Sequence, residues 1–413
     1  MSLYKRTMKL ALLILFLIIV SGTWNFATAE TIHVSNASQL SSALAEANDK
    51  GGNTTILLQD GIYTISDMLY IAGSYITVGS QSGIRDNVII QGDKMGSDAS
   101  VTHIFLVSGS NFEVRDMTLQ MSRYHIIQIQ GENNADYPTI RNCILRDSYE
   151  QIVKVSVDLN NLNVSADNGL VENCLFEYSA GVGPQFYIGG IDAHGADNWV
   201  VRNNTFKSII SPSGSVAEFA IHFWSGSENN LVERNLIINC DRGIGFGLTA
   251  NSGNIGGIIR NNMIYHAAST GQFADVGIAL ANSHGTEVYN NTVFMEHGFP
   301  WAIEYRFPGT QNVLIANNLT NKPIMMRDGA SATVADNFTN ADVSWFLDAS
   351  SGNLHLAYAV SSIVDRGRAI SGLTIDFDGQ SRPQGGGIDI GADEIISQND
   401  PPKPPTNLRI IKQ

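Results

Sequence analysis

The chain has 413 residues, of which 25 are Lys or Arg and 39 are Asp or Glu, for a formal charge of −14. That acid excess argues against nucleic acid as a partner, because a phosphate-binding surface concentrates Lys and Arg. An apolar content of 43% argues against a disordered chain.

In chain order, residues 1–29 read as a signal peptide. Lys5, Arg6 and Lys9 precede an apolar run from Leu10 to Val20, and Ala27-Thr28-Ala29 offers small residues for cleavage. Removing the segment leaves 22 basic against 39 acidic side chains, a net −17. No later run is long and apolar enough to span a bilayer, so no membrane partner is expected after removal. Localisation is then expected to be secreted, periplasmic or cell-surface. Three cysteines, Cys143, Cys174 and Cys240, are too few and too unevenly spaced for a disulfide framework.

Residues 35–48 place Leu40, Leu44 and Ala47 at helical spacing, with Ser35 or Asn36 as N-cap. This helix would cover the open edge of the first strands and prevent edge-to-edge pairing. Strands then begin at ILLQDGIYTI (56–65).

From there the organisation is a repeat. VRDMTL (114–119), IRNCIL (140–145), VENCLF (171–176), VRNNTF (201–206) and VERNLI (232–237) match one another. IRNNMI (259–264), VYNNTV (288–293), IANNLT (315–320) and VADNFT (334–339) continue the series. The fourth position holds Met117, Cys143, Cys174, Asn204, Asn235, Asn262, Asn291, Asn318 and Asn337. A constant motif at irregular steps of 19 to 31 residues means one coil per repeat, with loops of variable length. The Asn residues should turn the chain in left-handed conformation and stack into a hydrogen-bonded ladder. Cys143 and Cys174 occupy the same ladder as small buried residues, with a bridge between them left open. One coil cannot bury its apolar face alone, but stacked coils share a continuous core.

The repeat resembles the right-handed parallel β-helix family, the pectate-lyase-like superfamily, over roughly residues 60–345. The resemblance implies an all-β solenoid occupying residues 30–396. Its N-terminal cap is at 30–60 and its C-terminal cap at 340–396, where DFDGQSRPQGGGIDIGADE (376–394) resembles the end of many secreted bacterial β-helix proteins. Residues 397–413 form a tail whose segment Asp400 to Pro405 reads as a stiff polyproline linker.

A second strand precedes each Asn motif: 104–110, 127–133, 153–156, 191–195, 221–227, 244–247, 278–281, 303–306 and 324–327. Side chains alternate along a strand, so positions two and four face outward. Coil by coil, the outward pairs are Phe105/Val107, Gln128/Gln130, Lys154/Ser156, Asp192/His194, His222/Trp224, Gly245/Gly247, Ala279/Ala281, Glu304/Arg306 and Met325/Arg327. A polar cluster, a floor of small residues and a second charged cluster together describe a groove for a sugar chain. Tyr124, His125 and Tyr187 should lie near its mouth.

The function this column implies is a secreted polysaccharide lyase acting on a uronic-acid-containing glycan by β-elimination. The partner is an anionic polysaccharide and the chain a monomer. Lys154 and His222 are the base and acid candidates, with His194 as alternate. Asp192 orients a histidine or holds a calcium ion; no other cofactor is implied. Arg242, Arg306 and Arg327 bind carboxylates, Trp224 stacks on a ring, and Gln128 and Glu304 complete the substrate contacts. Asp192-Ala193-His194 resembles the Asp-Pro-His signature of alginate C5-epimerases, without its proline. A mannuronan-type C5-epimerase is therefore one alternative, and a non-catalytic glycan-binding or surface-display protein is another. A hydrolase fits less well, because Asp192 and Glu304 are four coils, about 19 Å, apart, beyond the spacing of paired glycosidase carboxylates.

Overall fold

The computed structural model describes residues 29–395. The leader reading, all but its last residue, and the tail reading lie outside that range. The described chain coils into a parallel β-solenoid built of one 12-stranded and two 10-stranded sheets. In each long sheet every neighbouring pair of strands is parallel. Among the described residues no helix is long and apolar enough to cross a membrane.

The sequence-level coil register carries over to the outward strands with one exception. Gln128 pairs with Lys154, Lys154 with Asp192, Asp192 with His222, and His222 with Gly245. Gly245 then pairs with Ala279, Ala279 with Glu304, and Glu304 with Met325. The exception is the coil at His103–Val107, where Leu106, not Phe105, pairs with Gln128. Phe105 and Val107 face inward and are fully buried. A one-residue slip exchanges the two faces of a strand, and the apolar run IFLV has no polar residue to mark its phase.

The Asn ladder forms as expected. Asn204, Asn235, Asn262, Asn291 and Asn318 each donate from Nδ2 to the Oδ1 of the next rung, ending on Asn337, at 2.9–3.0 Å. Each Nδ2 also donates to a backbone carbonyl of the preceding coil, as Asn235 does to Val201. Cys143 and Cys174 extend the ladder as free thiols: the Cys143 N–H meets Cys174 Sγ, and the Cys174 N–H donates to Asn204 Oδ1. The left-handed turn, however, belongs to the residue before each rung. Asn142, Asn173, Asn203, Arg234, Asn261, Asn290, Asn317 and Asp336 have φ between 49 and 57°. The preceding residue reverses the chain, which frees the rung side chain to point into the stack.

Strands begin earlier than expected, with Glu30–Val34 pairing with Gly52–Leu58 before and after the helix Ala37–Asp49. Asn36 caps the helix by accepting from the Gln39 N–H at 3.0 Å. Leu40, Ala43, Leu44 and Ala47 are buried on the end of the solenoid core. At the other end, residues 340–395 also run along a flank of the stack. Phe346, Ile363 and Ile390 pack with Leu236, Met263, Phe294 and Leu319 from four successive coils. The left-handed Asn residues fasten this segment: Asn261 donates to Ile375 O, Asn290 to Asp389 O, and Asn317 to Arg368 O.

Candidate functional site

Successive coils bring Lys154, Asp192, His194, His222 and Trp224 together on the outer face of one 10-stranded sheet. Lys154 Nζ donates to Asp192 Oδ2 at 2.5 Å and to His194 Nε2 at 2.8 Å. With Nε2 accepting, the neutral His194 ring carries its proton on Nδ1, which lies 3.1 Å from Ser225 Oγ. Trp224 Nε1 donates to Asp192 Oδ1 at 2.7 Å. Burial resists ionisation of Asp192, but the adjacent His194 imidazole and the positive charge of Lys154 outweigh it, holding the carboxyl well below the usual range.

Exposure divides the four expected catalytic residues. The Lys154 and His194 side chains are 14% and 15% exposed and reach the surface. Asp192 is nearly buried, and His222 is fully buried. The His222 ring stacks on Trp224 at 5.1 Å with 7° between planes, and Phe219 leans on it at 4.8 Å. Burial pushes the His222 imidazole down to about 4, so it is neutral at physiological pH. Its Nε2 faces Gly247 O at 3.2 Å, which leaves Nδ1 without a hydrogen-bond partner. Asp192 Oδ1 and Glu218 Oε2 lie 3.9 and 3.8 Å from that nitrogen. Burial raises the Glu218 carboxyl, and its Oε2 is likewise unpaired.

The expected floor of small residues is roofed. A Cβ on Gly245 would stand 2.8 Å from the Phe219 ring, which lies across that glycine. Ala279 is buried with Phe219 and Val276 beneath Leu248, Phe299 and Trp301. An apolar layer therefore separates the Lys154 cluster from the second charged cluster. In that second cluster Glu304 Oε2 accepts from Trp301 Nε1 at 2.9 Å and from Arg327 Nη1 at 2.7 Å. Arg306 pairs with Asp328 at 2.8 Å and Arg242 with Asp275 at 3.1 Å. All three expected carboxylate-binding arginines are thus matched to acids of the chain itself. Gln128 lies one coil before Lys154 and donates to Ser156 Oγ at 3.2 Å, which in turn donates to Glu132.

Sequence reasoning missed Glu218, Gln151 and Arg123. Gln151 is fully buried with neither amide atom paired, and its Cγ and the Glu218 Cβ both crowd the side-chain position of Gly189. Arg123 lies over the Tyr124 ring at 5.0 Å and makes no ion pair among the described residues. None of the three belongs to the alternating outward positions, so strand parity passes over them. His125 is buried, its Nδ1 2.8 Å from Gln151 O, while Tyr187 is exposed.

Calcium does not fit at Asp192 as it stands. The ion takes six to eight oxygen ligands, whereas both Asp192 oxygens are committed to Lys154 and Trp224.

Among solved structures, the pectate lyase Pel9A is similar, with a TM-score of 0.59 over 90% of this chain and 97% of that one, at 16% identity. The chain is a right-handed parallel β-helix, sharing the fold of that lyase. A mannuronic acid specific family 6 polysaccharide lyase from human gut microbiota covers 75% of this β-helix and 82% of its own chain, with a TM-score of 0.44 and 15% identity. A pectate lyase of Bacillus sp. N165, Bsp165PelA, covers 77% and 84%, with a TM-score of 0.32 and 13% identity. No family model matches the β-helix. No curated protein matches it in sequence either. Its solved neighbours include pectate and other polysaccharide lyases at low identity, a likeness of fold.

Proposed function

We propose that this β-helix is a secreted polysaccharide lyase that cleaves a uronic-acid-containing glycan by β-elimination. The observation that carries the reading is the Lys154–His194 contact of 2.8 Å at the outer face of the sheet, anchored by Asp192. The lyase names among the structural neighbours are consistent with it.

Two partly exposed proton carriers in hydrogen-bond contact can run an elimination without a net change in the enzyme. Lys154 passes one ammonium proton to His194 Nε2 and becomes a free amine. The amine removes the proton on C5 of the uronate, the C4–O4 bond breaks, and a C4–C5 double bond forms. The imidazolium returns its proton to the departing O4, which restores both residues. Asp192 stays ionised throughout, holding Lys154 in place and stabilising the positive charge that Lys154 and His194 pass between them. Trp224 fixes the second oxygen of Asp192 and lines the site. His222, buried behind Trp224, acts as a positioning residue. Arg123, a cation that forms no ion pair among the described residues, is the group nearest in character to what the C5 carboxylate requires.

The test is to incubate the purified protein with a panel of polyuronates and follow the ultraviolet absorbance of the unsaturated ends. Absorbance that grows with wild type and is lost in both Lys154→Ala and His194→Ala supports the reading. A changed proton spectrum without cleavage means that the same pair performs epimerisation. Retention on the polymer without chemistry means a binding module.

A further inference from the structure

The C-terminal segment holds a second cluster far along the chain from Lys154 and unrelated to the elimination chemistry. His355 is on the strand Asn353–Leu356, paired antiparallel with Phe346–Asp348. Asp378 and Asp393 come from the loops that follow. One ligand atom from each of His355, Asp378 and Asp393 lies within 4.8 Å of the other two. From this arrangement we infer that His355, Asp378 and Asp393 form a site for a zinc-class divalent cation.

Three observations support it. First, the His355 and Asp378 side chains are only 4% and 8% exposed, yet Asp378 Oδ1 has no hydrogen-bond partner. A buried carboxylate oxygen left bare is costly, and a cation at the cluster would satisfy it. Second, the imidazole is oriented as a ligand. His355 Nδ1 donates to Asn353 Oδ1 at 2.5 Å, which turns Nε2 toward the carboxylates; Nε2–H donates to Asp378 Oδ2 at 2.9 Å, a proton that the ion would displace. A ring nitrogen fixed by a neighbouring oxygen while the other faces acids is the arrangement in which histidine ligates metals. Third, no lysine or arginine among the described residues pairs with Asp378 or Asp393. The nearby Arg382 is spent on Glu394 at 2.8 Å and on the carbonyls of Asp389 and Gly391.

The donor set decides the class of ion. One imidazole with two carboxylates suits zinc and similar transition ions, whereas calcium takes oxygen alone. A tetrahedral zinc with bonds near 2.0–2.2 Å sets its ligands about 3.3 Å apart, so the three atoms, within 4.8 Å of one another and 2.9 Å apart between His355 and Asp378, need only small side-chain adjustments. The remaining positions fall to water or to a second carboxylate oxygen. Such an ion would tie the strand carrying His355 to the loops that close the C-terminal flank. Asp393 already begins that work by accepting from the Leu356 N–H at 2.8 Å.

The test uses the whole mature protein, stripped with a chelator and titrated with zinc chloride. One zinc per chain should survive desalting, and the thermal midpoint should rise by several degrees, as a ligand specific for the native state requires. Asp378→Asn and His355→Gln, judged folded by circular dichroism, should each lose at least about tenfold in zinc affinity. On the unaltered protein, cobalt should give visible bands that zinc displaces. Failure to retain zinc, undiminished binding by both variants, or an equal midpoint rise with calcium chloride would each overturn the assignment.

Discussion

In the proposed lyase reaction, turnover rests on Lys154 and His194. Alanine at either position should cut kcat by about 10²- to 10⁴-fold, the usual weight of a positioned proton carrier, with KM moved far less; steady-state kinetics on a polyuronate that wild type cleaves decides it. His222 behaves differently. Being fully buried and neutral down to pH 4, it contributes no ionisation to the rate profile above about pH 5. His222→Ala opens a cavity behind Trp224 and should lower stability by about 2–4 kcal/mol, measured by denaturant unfolding, with the shape of the pH–rate profile unchanged. The convergence of Lys154, Asp192, His194, His222 and Trp224 was legible in the sequence because all five sit at outward positions of aligned strands. Burial was not legible. Phe219 is two residues upstream of Ile221 on the same strand, and nothing in the alternation says that its ring leans over Gly245 of the next coil and fills the expected floor.

At the scale of the element, the ladder and its neighbours set how tightly coils stack. Asn262 makes hydrogen bonds both up and down the stack from a fully buried site. Asn262→Leu leaves those partners unsatisfied and should cost about 3 kcal/mol or more. A second column is acidic: Asp136 accepts from the Asp167 N–H, Asp167 from the Asp197 N–H, and Asp197 from the Glu228 N–H. Burial and then the charge of Asp167 push Asp197 up to about 6. A folded-state value above the unfolded one means that stability is fully present below about pH 4 and is lost as pH rises through 6. Asp197→Asn should therefore stabilise the protein at pH 8, by about 1 kcal/mol after allowing for its partial exposure, and do little at pH 4; thermal melts at the two pH values compare them. The Asn rungs were readable from their recurrence. The left-handed residue was not, because many motifs carry Asn at both adjacent positions and composition alone cannot say which one turns.

For the whole molecule, the repeat was enough to give a parallel β-solenoid, since each coil needs its neighbours to bury its core. The C-terminal segment shows where periodicity stops informing: residues 340–395 have no repeat, and their course along the flank is set by contacts with Leu236, Met263, Phe294 and Leu319. The net charge also reads differently once the fold is known. Arg242, Arg306 and Arg327 are neutralised by partners of their own, so the acidic total is not relieved by a broadly cationic groove. Under the proposed function, affinity for an anionic polymer then depends on Lys154, Arg123 and the few neighbouring donors. It should fall with salt more gently than a many-contact polyelectrolyte interface would. The most direct measurement is the ultraviolet assay of wild type and Lys154→Ala on polyuronates. Wild type should produce unsaturated uronate ends and the variant none above background. Unaltered turnover in Lys154→Ala would contradict the role given to Lys154.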